Sequence, residues 1–168
     1  MTIVANNKLL QTTIDYQTQD QNGSLVQDIQ SISYDIDDNV ASTVVFKAGQ
    51  FVALGSGKGA IPTASNTAAS AILGVVKYQI SGTIDSQGYP ASMYTNLPIL
   101  KKGVILVPAA SNVDVDAVVN LVIDPAQTTT IGKIYNGSTA GSLDISAFAR
   151  VVKKVNSDGY CELDINIL

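Results

Sequence analysis

From Thr43 to Leu168 the chain consists of short β-branched runs broken by glycine-bearing turns, and that punctuation points to β-structure throughout. The clearest case is C-terminal. Phe148 to Val155 and Tyr160 to Leu168 are two alternating runs separated by Asn156-Ser157-Asp158-Gly159. Two such runs joined by a short turn ending in Asp-Gly form a β-hairpin, because glycine accepts the positive φ that a tight reversal needs. In the second run Leu163, Ile165 and Ile167 share one face, and Glu162, Asp164 and Asn166 share the other, since strand side chains alternate.

The same grammar recurs upstream. Thr43 to Phe46, Gln50 to Leu54, Ile72 to Ile80, Ile99-Leu100, Val104 to Val107, Val118 to Ile123 and Ile131 to Tyr135 all read as strands. Gly74 inside the Ile72 run predicts a bulge or a close backbone contact. Helical periodicity is sparse: Thr63 to Ser70 reads as a short helix or a loop, and Asp114 is placed to cap a single helical turn. The expected fold is all-β, a small β-barrel or β-sandwich with an extended N-terminal arm and a C-terminal hairpin.

The division falls at residue 42. Residues 1–42 hold Asp15, Asp20, Asp28, Asp35, Asp37 and Asp38 against the single cation Lys8, in text rich in Gln, Asn, Thr and Ser. Such text buries little by itself and reads as an arm, with 43–168 as the β core. Its thinly spaced apolar residues, Leu9, Leu10, Leu25, Val26 and Ile32, are the candidate anchors for docking on a partner.

Composition then excludes whole classes of chemistry. The chain has no histidine and one cysteine, Cys161, with Arg150 and Glu162 the only residues of their kinds. General acid–base catalysis leans on histidine first, and a nucleophile needs an adjacent base. No Ser-Lys arrangement replaces them, so the chain is not expected to be an enzyme. One cysteine permits no internal disulfide. At 14% charged residues, against about 25% in ordinary soluble domains, the surface is polar through amides and hydroxyls and suits packing against other proteins. A net charge of −4 argues against nucleic acid as partner. The longest apolar stretch, Val104 to Ala110, contains Pro108 and is too short to span a membrane. With no signal-like N-terminus, the expectation is a soluble chain made in a cytoplasm.

Two motifs invite a ligand and fail on spacing. Gly55-Ser56-Gly57-Lys58-Gly59 lacks the four residues that a phosphate loop needs before its Gly-Lys pair, and is expected to be a hairpin tip. Asp35-Ile36-Asp37-Asp38-Asn39 opens like a calcium loop, but Val40 and Phe46 stand where glycine and glutamate are required. That stretch and the looser group Asp114, Asp116 and Asp124 are expected to be solvated turn carboxylates. No metal or other cofactor is expected.

The order of segments from Ala48 onward resembles the structural cement, or head decoration, proteins of tailed bacteriophages. The pieces that carry the resemblance are Ala48-Gly49-Gln50-Phe51-Val52-Ala53-Leu54, Ile72-Leu73-Gly74-Val75-Val76 and Leu97-Pro98-Ile99-Leu100-Lys101-Lys102-Gly103-Val104-Ile105-Leu106-Val107. Val118-Val119-Asn120-Leu121, Ile131-Gly132-Lys133 and Ala149-Arg150-Val151-Val152 follow. The resemblance covers residues 43–168. It implies a virion structural protein on the outside of a capsid, where it bridges major capsid proteins and stabilises the shell. It further implies a homo-oligomer, trimer or dimer, assembled in the host cytoplasm. The competing expectation is a carbohydrate- or receptor-binding β-sandwich, with Tyr78, Tyr89, Tyr94 and Tyr135 as stacking platforms; the lack of tryptophan weighs against it.

Overall fold

The computed structural model describes residues 25–37, 46–56, 59–77, 96–110, 113–127, 131–137, 140–154 and 159–168. Among these residues ten strands follow one another: β1 (Leu25–Asp35), β2 (Phe51–Leu54), β3 (Ala60–Pro62), β4 (Ile72–Val76), β5 (Asn96–Pro108), β6 (Val119–Val122), β7 (Ile134–Asn136), β8 (Ser142–Asp144), β9 (Ala149–Lys153) and β10 (Tyr160–Asn166). The large sheet runs β3-β2-β4-β5-β10-β9, with β1 also paired to β5, and the small sheet runs β7-β6-β8. Every ladder within the two sheets is antiparallel. The fold is all-β and sandwich-like, with no closed barrel among the described residues. The only helical piece described is one 3-10 turn, Ala69–Ala71.

The C-terminal hairpin forms as its alternation demands. Leu163 pairs with Val151 and Ile165 with Ala149, and all four are buried. On the opposite face Arg150 pairs with Asp164 at 3.1 Å and Lys153 with Glu162 at 2.9 Å.

β5 organises the rest. Ile99 and Leu100 pair with both β4 and β1, while Lys102 to Ile105 pair with both β10 and β1. A strand has two edges, so β4 and β10 occupy successive halves of one edge and β1 runs along the other. Lys101 is an extra residue against β1, lying between the pairs Gln30–Lys102 and Ser31–Leu100. One inserted residue exchanges the two faces of a strand. Leu97 and Ile99 therefore face one core, whereas Ile105 and Val107, further along the same odd-numbered series, face another. Gly103 sits at this switch with φ +140°, and a β-carbon there would strike the carbonyl of Gln27.

The first core is the sandwich interior. Ile105, Val107, Leu163, Ile165 and Val151 from the large sheet meet Val119, Leu121 and Ile134 from the small one. The second core lies on the other side of the large sheet and gathers Phe46, Val52, Val76, Leu97 and Ile99, with Ile32, Tyr34 and Ile36 packed against it. The last three come from β1 and the residue after it. β1 thus curls from β5 over the second core until Ile36 bridges Ala60 on β3, where the N–H of Asp37 donates to the Ala60 carbonyl at 3.1 Å.

The segment expected as an arm therefore supplies a strand of the large sheet from Leu25 onward. Thr43 to Val45 lie outside the described residues, and Phe46, expected at a strand end, is a fully buried residue outside any strand. Ile131 and Gly132, expected in a strand, form a turn before β7. The residues flanking Lys101-Lys102-Gly103 are one continuous strand, because the bulge absorbs what looked like a break.

Candidate functional site

The described residues contain no group of His, Cys, Asp or Glu that could hold a metal ion. Asp114 and Asp124 are engaged locally: their Oδ1 atoms accept the N–H of Val115 at 3.2 Å and of Ala126 at 2.9 Å. Asp144 accepts the Ser146 N–H at 2.9 Å, and that bond, followed by one from the Ser146 hydroxyl, holds its carboxyl below the ordinary value. Burial pushes the Cys161 thiol up to about 12, so at neutral pH it is a protonated core group rather than a nucleophile. A cleft of about 400 Å³ opens between Lys47, Gln50, Pro62, Pro108 and Ile131. No described helix is long and apolar enough to cross a membrane.

The distinctive surface is β1. Val26 to Gln30 are all exposed although they are hydrogen-bonded into a sheet. The register explains this. Val26 lies between the pairs Leu25–Ile105 and Gln27–Val104, and Ile29 between Asp28–Gly103 and Gln30–Lys102. Each is the extra residue of a bulge, and bulges turn side chains away from the regular faces of a sheet. The result is two large apolar side chains, 53% and 55% exposed, three residues apart on one strand. Among the described residues no strand pairs with the far edge of β1 itself; just past its end Ile36 bridges Ala60 on β3.

The strand is held firmly at several points. Lys77, just past β4, donates to Asp28 at 2.9 Å, and the Ser31 hydroxyl donates to the same carboxylate. The lysine contact is the main reason that the Asp28 carboxyl lies below its usual value. At the other end Asp37 is buried against the β2–β3 loop. A β-carbon at Gly59 would strike the Asp37 main chain, and one at Gly55 would strike its carboxylate. The glycines that resemble a phosphate loop are there for this close approach; Gly57 and Lys58 lie outside the described residues.

Of the expected docking residues, Leu9 and Leu10 lie outside the described residues. Leu25 opens β1 opposite Ile105, and Val26 stands exposed. Ile32 is half-buried against the second core, so part of its apolar surface is used within the chain. Ile29 was not legible as a functional position, and Asp37, expected as a solvated turn carboxylate, is instead buried because Gly55 and Gly59 let the β2–β3 loop close on it. The one hint for Ile29 is that Val26, Ile29 and Ile32 recur every three residues, which breaks strand alternation. Of the candidate stacking tyrosines, Tyr78, Tyr89 and Tyr94 lie outside the described residues. Tyr135 is half-buried on β7, opposite Asn120.

A β scaffold with an exposed, apolar-studded edge strand has the kind of surface that suits contact with other proteins. The model of the structural cement protein family (E217 gp24/Pam3 gp6) matches residues 10–166, and the chain belongs to that family. It is a structural protein that stabilises a phage capsid. A chain in the solved capsid of Myoviridae phage XM1 shares the fold, with a TM-score of 0.63 and 16% identity over 86% of this chain and 89% of that one. No curated protein matches.

Proposed function

We propose that the chain binds the outer surface of a bacteriophage capsid where major capsid proteins meet, and clamps neighbouring subunits together. The observation that carries this reading is the family match, which takes in nearly the whole chain and includes β1. The protein acts by contact and without turnover, and nucleic acid takes no part. It works as a homo-oligomer, a trimer or alternatively a dimer, on the virion exterior after assembly in the host cytoplasm. Contacts repeated over a symmetric lattice give strong attachment even when each is weak. Residues 1–24, with Leu9 and Leu10, extend this grip as an arm laid over neighbouring subunits.

The test uses heads of the encoding phage prepared without this protein. The full chain is expected to co-sediment with them and raise their melting temperature. Failure to bind rejects the reading. Deleting residues 1–24 should weaken binding and leave the core folded; the cut stops there because deletion to residue 40 would also remove β1. Undiminished binding by that truncation rejects the arm's role.

A further inference from the structure

We infer that the far edge of β1 is a docking rail, on which an extended segment of the shell protein adds as a further β-strand, with Val26 and Ile29 as its apolar anchors. This rests on the reading above and names the surface that performs it. Three features of the strand support it.

The first is the main chain. An edge strand presents a row of N–H and C=O groups, and soluble proteins usually blunt such edges with lysine, proline or brevity. β1 has eleven residues and contains neither lysine nor proline. From Ser31 to Asp35 its register against β5 is regular, so the far edge offers an incoming strand an ordinary ladder up to the point where Ile36 bridges Ala60 on β3. A strand added to such an edge gains its affinity from main-chain bonds and its specificity from side-chain pockets.

The second is the pair of bulges. They are confined to the first half of the strand and bring out two large apolar side chains, Val26 and Ile29, both exposed. Apolar groups set beside an open edge mark a contact more specific than general stickiness, because they select a partner with apolar residues in the matching positions.

The third is charge, which distinguishes the occupant. β1 carries Asp28 and Asp35 and no basic residue, and the chain as a whole is at −4. Lys77 already engages Asp28, while Asp35 is exposed. A second copy of β1 would bring carboxylates towards carboxylates. A segment of another protein bearing lysine or arginine opposite Asp35 is attracted instead.

The experiment compares the full chain with the double variant Val26→Lys/Ile29→Lys on heads lacking the protein. Both positions are exposed, so the variant should match the parent in thermal melting. Its affinity for the heads should fall by at least about tenfold. Hydrogen exchange adds an independent reading: on parent protein bound to heads, amides within 31–35 should slow more than those of β10. A folded double variant that binds like the parent overturns the rail while the parent's own binding leaves the cement function standing. Equal exchange at 31–35 in free and bound protein also overturns it. Concentration-dependent protection of 31–35 in the free protein, together with a larger particle mass, would assign the edge to a second copy and overturn the shell protein as occupant. If the parent itself does not bind, it is the proposed function that fails.

Discussion

The two cores of this molecule are built differently. The first is closed by two sheets facing each other, with buried side chains from β2, β4, β5, β6, β7, β9 and β10. The second is a smaller pool beneath the β2-β4-β5 half of the large sheet, covered by Ile32, Tyr34 and Ile36 from β1 and its end. One core is the product of local pattern. The other depends on a polar, acidic segment being recruited as a cover. A strand used as a cover on one side has an edge and a set of side chains left over on the other, and that is where the candidate interaction surface lies.

The comparison is tested most strongly through Leu163, which is fully buried in the first core. Leu163→Ala should cost about 2–5 kcal/mol and lower the urea midpoint without changing the slope. A loss below about 1 kcal/mol would mean that the sandwich interior tolerates cavities and is not the main source of stability.

Gly59→Ala addresses the second core. The new β-carbon meets the main chain of Asp37, so the end of β1 must shift, at about 1–3 kcal/mol. Hydrogen exchange should accelerate in residues 31–37 more than in β10. Equal acceleration in both would show that the two cores open as one cooperative unit, and the contrast between them would be lost.

The smallest effect belongs to the ion pair that ties β1 to the end of β4. In the folded protein the Asp28 carboxyl lies below its ordinary value of 3.8, chiefly because Lys77 donates to it. Its stabilisation is therefore present above 3.8 and is lost as the pH falls through the lower folded value. For a surface pair this amounts to about 0.2–1 kcal/mol. The stability difference between the parent and Lys77→Ala should be constant from pH 7 to about 5 and close only below 3.8. A gap that stays open in acid would mean that Lys77 acts through packing of its aliphatic stem instead.

Much of the fold was legible because strand alternation is a local property. Leu163 and Ile165 declared their buried face by spacing alone, and Glu162 and Asp164 declared the face on which Lys153 and Arg150 meet them. Gly74 announced an irregularity, and β2 and β4 pair there with a register shift. The candidate surface was legible only at Val26, an apolar residue in polar text. Ile29 stands three residues further on, a spacing without meaning in a strand until two bulges are known to lie between it and regular pairing. Gly55 and Gly59 read as the tip of a hairpin and do close β2 onto β3, but nothing local predicts that Asp37 packs against both of them.

Short-range chemistry settled the all-β class and the C-terminal hairpin, each a matter of residue type and period-two spacing. Long-range pairing decided that β5 serves two cores, that an inserted Lys101 exchanges its faces, and that residues 25–35 join the sheet rather than remain apart from it. The reason is physical. A strand's alternation says which side chains lie together, but its choice of neighbour is made by hydrogen-bond edges and contacts from distant parts of the chain. For β1 that choice turns weakly apolar text into a cover for one core and an exposed edge.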